Sequence, residues 1–283
     1  GNASRNFGVG IHNSVNGTME IIGSTLYSNT ANRTNNLQNL GGGLFNSGVV
    51  VLSNSTVSSN SVRLANFNSS TGRGGGIYNN SGAFGLRLTN CTVAENWGEN
   101  SGSGIWSDSQ VMLANTIVSA NANPINILIP VNSSVNSSFT AQNGAGLLPL
   151  ADNGGITPTY ALAPSSVARN TGNNCAVTAN GCGTSHPALT TDQRGGSYTR
   201  QSGSNVDMGA VEYMPVVSNA ASSGAGSFAQ SVADASSGDT IRFEAAFFNT
   251  PRTIALTGGE LVIAKNLDIV GPGVSRLTID AGN

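Results

Sequence analysis

A short glycine-rich pattern recurs along the first half of the chain. Residues 8–13 read GVGIHN, 41–46 GGGLFN, 74–79 GGGIYN and 102–107 GSGIWS. Their apolar residues Ile11, Leu44, Ile77 and Ile105 are spaced 33, 33 and 28 residues apart. A second motif follows each copy: MEIIGSTLYSN ending at Asn29, VVVLSNSTVSSN at Asn60, LRLTNCTVAEN at Asn96 and VMLANTIVSAN at Asn121. Aligning the copies makes columns of like residues: Ile21, Leu52, Leu88 and Leu113; Leu26, Val57, Val93 and Val118; Ser24, Ser55, Cys91 and Thr116; Asn29, Asn60, Asn96 and Asn121. Within each copy apolar and small polar residues alternate over only a few positions, the period-2 signature of short strands. Glycine and asparagine separate the strands, as turns with positive φ require. Short strands, tight turns and a repeat of this length describe a solenoid, in which no pass of the chain folds alone but stacked passes share one core. The expected fold is therefore all-β: a right-handed parallel β-helix (β-solenoid) with one short capping helix near the C-terminal segment. A leucine-rich repeat would show a helical segment or denser leucines, and a propeller blade four longer antiparallel strands.

Composition narrows the function classes. Charged residues make up 9% of the chain, against about 25% in an average globular protein, so amides and hydroxyls must keep the surface wet. The 38% hydrophobic content, set in regular runs, argues against disorder. With a formal charge of −2 and a single lysine, Lys265, there is no basic footprint for nucleic acid. No apolar run is long enough to span a membrane as a helix, and a signal peptide would be missing from a mature chain. Cys175 and Cys182, seven residues apart in a polar loop, are either free thiols or a bridge that implies an oxidising compartment.

The columns also account for single residues that invite a catalytic reading. His12 shares its column with Phe45, Tyr78 and Trp106, which marks it as a stacking residue; Cys91 shares one with Ser and Thr, which suits a small inward side chain. The sequons at Asn54 and Asn90 are expected by chance in a chain so rich in Asn, Ser and Thr.

From about Leu147 the pattern changes to LLPLADNGGITPTYALAPSSVA, then TTDQRGGSY, then VDMGAVEY. Leu150, Asp152, Asn153, Gly154, Gly155, Thr157 and Pro158, with Asp192, Gln193, Arg194 and Gly195 and then Asp207, Gly209, Ala210, Val211 and Glu212, resemble the choice-of-anchor Q module that follows many bacterial surface β-helices with GGGIYN coils. The segment that usually follows is degraded here to SSVARNTGN and interrupted by the cysteine loop. The resemblance implies no assigned activity. Asp192, Arg194, Asp207 and Glu212, the densest group of charges, are accordingly read as a structural latch sealing the end of the solenoid, with a catalytic or calcium site as the rival. Residues 216–283 resemble the start of the same family: a helix from Phe228 to Ala235 capped by Ser227, then strands TIAL from Thr253, LVI from Leu261, LDIV from Leu267 and LTID from Leu277.

That start comes last. Joining Asn283 to Gly1 restores the family order, which leaves three explanations: one period of a longer tandem protein, a subunit stacking head-to-tail on the next, or a circular permutant. The expected segments are coils over 1–145, an anchor-Q-like module over 146–215 and a solenoid-starting segment over 216–283. The expected function is non-enzymatic: an extracellular or cell-surface building block of a bacterial filament or stalk, whose partners are copies of itself, with no cofactor and no metal. Its assembly interface comprises Phe7, Ile11, Ile21 and Ile22 at one end and Leu261, Ile263, Leu267, Ile269, Leu277 and Ile279 at the other; an open heterologous contact of this kind makes fibres. The alternative is a monomeric adhesin that binds glycans or host or cell-surface proteins through its inter-coil loops. A polysaccharide lyase or glycoside hydrolase is the enzymatic rival, but hydrolysis needs two converging carboxyl groups. The coils offer only Glu20, Glu95, Glu99 and Asp108, with Glu95 and Glu99 flanking Trp97 in one loop.

Overall fold

The structure is a computed structural model that describes residues 3–4, 8–33, 39–64, 72–99, 102–122, 125–183 and 186–281. Among the described residues the chain is all-β apart from one α-helix and short 3-10 turns, and its sheets are mostly parallel. It divides into two compact units, one of residues 1–201 with 205–212 and one of 202–204 with 213–283.

In the first unit successive passes of the chain lay strands side by side in four parallel sheets. The first sheet holds Ile11–Asn13, Leu44–Asn46, Ile77–Asn79, Ile105–Ser107 and Ile127–Leu128. The second holds Thr18–Ile22, Val49–Ser53, Gly85–Thr89, Val111–Ala114 and Ser134–Asn136. Thr25–Tyr27, Thr56–Ser58, Thr92–Ala94 and Ile117–Ser119 form the third. The fourth runs Ala3–Ser4, Thr30–Arg33, Ser61–Leu64 and Trp97–Gly98. The registers reproduce the sequence columns: Ile21, Leu52, Leu88 and Leu113 are successive partners, as are Leu26, Val57, Val93 and Val118. These residues, with Leu44, Ile77, Ile105 and the thiol of Cys91, make one apolar core. Each aliphatic side chain so buried contributes about 1.5–3 kcal/mol.

The turns follow from backbone sterics. Asn54, Asn90 and Asn115, between the second and third sheets, sit at φ 44°, 48° and 49°, where asparagine is among the residues that tolerate the left-handed region. Gly41 and Gly74, at φ 68° and 62°, open the first sheet where an added Cβ would strike backbone oxygen at 2.4 and 2.3 Å. Inside the next corner a second asparagine column forms a continuous amide ladder. Asn29 Nδ2 donates to Asn60 Oδ1 at 2.9 Å, Asn60 Nδ2 to Asn96 Oδ1 at 3.0 Å and Asn96 Nδ2 to Asn121 Oδ1 at 2.9 Å. Each amide thus satisfies the next, which is what makes a buried polar column tolerable.

Residues 146–201 and 205–212 fall in the same compact unit as the stacked strands. They start with the antiparallel pair Leu147–Ala151 and Thr159–Leu162.

The second unit has its own core around the helix Phe228–Asp234, whose N-cap Ser227 accepts from the Gln230 N–H at 3.1 Å. Phe228 and Val232 pack with Val217, Ile241, Phe243, Phe248 and Ile254. Thr240–Phe243 lies between Val216–Val217 and Asp268–Val270, all parallel, and Arg252–Ala255 pairs in parallel with Leu277–Asp280. The expected strand at Leu261 does not form: residues 261–264 are a consecutive apolar run that pairs with no strand, and a strand-forming composition without a hydrogen-bonded neighbour does not make a ladder.

Candidate functional site

Two features stand out: unpaired strand edges carrying apolar side chains, and a charged strap on the flank of the first unit.

Among the described residues, the first pass of the first unit is an edge in three sheets, since Ile11–Asn13, Thr18–Ile22 and Thr25–Tyr27 each have a neighbour on one side only. Of the residues expected to form an interface here, Ile11 is half-buried, Ile21 is buried against Leu52, and Ile22 is 45% exposed. Phe7 lies outside the described residues. In the second unit Asp268–Val270 and Leu277–Asp280 are likewise edge strands. Ile263 and Ile269 are each 42% exposed and Ile279 46%, while Leu261, Leu267 and Leu277 are half-buried against the unit's core.

The strap is built from the outward-facing polar groups of the turns. Thr25 Oγ1 donates to the Pro158 carbonyl at 2.8 Å, and Asn54 Nδ2 to the Thr191 carbonyl at 2.6 Å. Thr56 Oγ1 donates to Gln193 Oε1 at 2.6 Å, and Gln193 Nε2 donates in turn to Thr25 Oγ1 and Thr157 Oγ1. Further along, Asn90 Nδ2 reaches the Asp207 carbonyl at 3.0 Å, the Ala210 N–H reaches Thr92 Oγ1 at 3.0 Å, and Asn115 exchanges two bonds with the backbone of Asn173. One contact or more falls on each of four successive passes, so the strap runs along the flank and not across an end. The corner asparagines and threonines point outward there and need partners.

Asp192, Arg194, Asp207 and Glu212 come together within this strap. Arg194 Nη2 meets Asp192 Oδ2 at 2.6 Å and donates to the Glu212 carbonyl at 2.7 Å; the Glu212 N–H donates to Asp192 Oδ2 at 2.9 Å. The cluster has a fifth member that sequence reasoning missed. Arg200, the largest fully buried side chain, donates through Nε to Glu212 Oε1 at 2.9 Å, pairs with the same oxygen through Nη2, and reaches Asn54 Oδ1 at 3.1 Å. The only signal for it was arithmetic: three acids faced one named arginine. Burial, with the neighbouring Asp207 charge, pushes the Glu212 carboxyl up to about 8 against the opposing pull of Arg200.

The remaining candidates are dispersed. The Cys175 and Cys182 sulfurs are bonded, with Cα atoms 5.0 Å apart. Burial pushes the Cys91 thiol up to about 12, which keeps it protonated. His12 is exposed and meets Phe45 edge-on at 4.9 Å, extending the Phe45–Tyr78 stack. Glu95 sits exposed at a corner with φ 56°, and Trp97 beside it pairs into the fourth sheet with the Arg63 guanidinium 5.4 Å from its ring. Among the described residues no helix is long and apolar enough to cross a membrane. No family model, curated protein or solved structure matches the chain, so its functional reading rests on this geometry.

Proposed function

We propose that the chain is a right-handed parallel β-helix that serves as a non-enzymatic, extracellular building block of a bacterial surface filament or stalk, assembled head-to-tail by strand stacking between copies. One observation carries the reading: each unit presents parallel edge strands with exposed isoleucines, Ile22 in the first and Ile269 and Ile279 in the second. An open edge offers a row of unpaired N–H and C=O groups to another chain, and apolar side chains on it favour capture over solvation. The solenoid reading is supported by four sheets whose strands recur in the same order on each pass, and the right hand by the strong bias of parallel crossovers. The Cys175–Cys182 bridge fits an oxidising compartment.

The test is electron microscopy of the native protein together with sedimentation of the purified chain. Fibres that lengthen with concentration, and that disappear in Ile269→Asp or Ile263→Asp, support the proposal. Isolated particles at every concentration overturn it and make the adhesin, binding glycans or cell-surface proteins through its loops, the leading reading.

A further inference from the structure

The two oxygens of Glu212 are unequal. Oε1 accepts from Arg200 Nε at 2.9 Å, from Arg200 Nη2 and from the Asp207 N–H at 2.8 Å. Oε2, buried with the rest of the side chain, has no hydrogen-bond partner. The charges around the carboxyl are the Arg200 guanidinium and the Asp207 carboxylate, with the Asp192–Arg194 pair bound to the Glu212 backbone. Among the described residues, the groups of the flank that meet this cluster are neutral: the amides of Asn54 and Asn90, which bond to Arg200 and to the Asp207 and Gly209 carbonyls, and the protonated Cys91 thiol. A carboxylate oxygen held there without a donor keeps charge in a dry place with nothing to solvate it, beside a second acid. A proton on Oε2 removes that charge and leaves the Oε1 bonds in place.

We propose that the strap is a proton-sensitive clasp, closed with a proton on Glu212 Oε2 and loosened when that proton leaves. The upward displacement of the carboxyl to about 8 agrees with this. The sign of the linkage follows. The folded chain holds the proton above the ordinary carboxyl value of 4.5, so the contribution to stability is complete below that pH. It declines as the pH rises and is gone above about 8. A carboxylate that folding merely paired with arginine would give the opposite slope.

Two measurements on the full chain decide it: the carboxyl 13C shift of Glu212 followed against pH, and thermal unfolding of wild type and Glu212→Gln from about pH 5 to 9. The expected results are a carboxyl still protonated at pH 6 and a wild-type Tm that falls with pH more steeply than that of the variant. Unfolding at pH 6 should also release about one proton more from wild type than from Glu212→Gln. An ionised Glu212 at pH 6, or parallel Tm profiles, overturns the proposal. If Glu212→Gln does not fold, the 13C shift alone decides.

Discussion

Ile254 and Ile279 are register partners on adjacent parallel strands, as are Ile241 and Ile269, yet the first of each pair is fully buried and the second more than two-fifths exposed. In the first unit the same chemistry gives a uniform result: Leu52, Leu88 and Leu113 occupy one column and all are buried. Both places hold branched aliphatic side chains in register on parallel strands. What differs is what covers each strand: Ile241 and the three leucines lie on strands with a neighbour on both sides, and Ile254, on a two-stranded sheet, packs into the core around the helix instead. Burial is complete where packing covers a strand from both sides and smaller where it covers one, so stabilisation in such a stack is largely a nearest-neighbour quantity. The edge isoleucines carry unused apolar surface for which the interior pays no counterpart.

The largest expected effect tests that contrast directly. Ile241→Ala and Ile254→Ala should each destabilise the chain by about 4 kcal/mol, the transfer loss plus a cavity. Ile269→Ala and Ile279→Ala should cost less than about 1 kcal/mol in the unassembled chain. Urea unfolding of the four variants measures the difference, and equal losses within each pair would break the comparison.

The amide ladder should come next. Asn96 links Asn60 to Asn121, and its removal strands the Asn60 N–H and one of the two Nδ2 hydrogens, the other keeping the Leu26 carbonyl. Asn96→Ala should cost about 3 kcal/mol, since buried donors are left without partners. An exposed asparagine such as Asn132 serves as the control, with almost no expected change in Tm.

A smaller effect is expected at the cysteine bridge, which closes a short loop beside Asn173, the residue that clamps Asn115. Reduction, or Cys175→Ser with Cys182→Ser, should lower stability by about 2 kcal/mol. Hydrogen exchange should report the loosening first at Asn173 and Val206 and leave the Leu88 amide protected, because the bridge lies on the strap and not in the stack.

The sequence made the stack legible for a physical reason: parallel in-register passes force like residues into columns, and those columns can be aligned without coordinates. It made the strap only partly legible. Asp192, Arg194, Asp207 and Glu212 stood out because charge is scarce, but Arg200 pairs with Glu212 through a loop whose path no periodicity encodes. The same blindness produced the expected strand at Leu261. A short run of Leu, Val and Ile reports a taste for strand and says nothing of whether a partner strand exists, so Val262 and Ile263 read as strand and are exposed. The direction of the strap was likewise hidden, because it depends on the outward hydrogen-bonding capacity of Asn54, Asn90 and Asn115, residues whose turn role was already sufficient to explain them.

The smallest expected effect sharpens the comparison most. Ile279→Thr keeps a β-branched side chain on an edge strand, so strand propensity is preserved and only apolar surface is lost. In the dilute chain it should change the unfolding free energy by less than about 0.5 kcal/mol. If the edge is used by a second copy, the same substitution removes apolar area from a contact made once per subunit, and the concentration at which assembly starts should rise while monomer stability stays put. Sedimentation and urea unfolding on the same preparation separate the two quantities. A variant that unfolds like wild type and assembles like wild type would show that Ile279 is solvent-exposed in the assembled protein as well, and that the asymmetry between Ile254 and Ile279 is a property of the isolated fold alone.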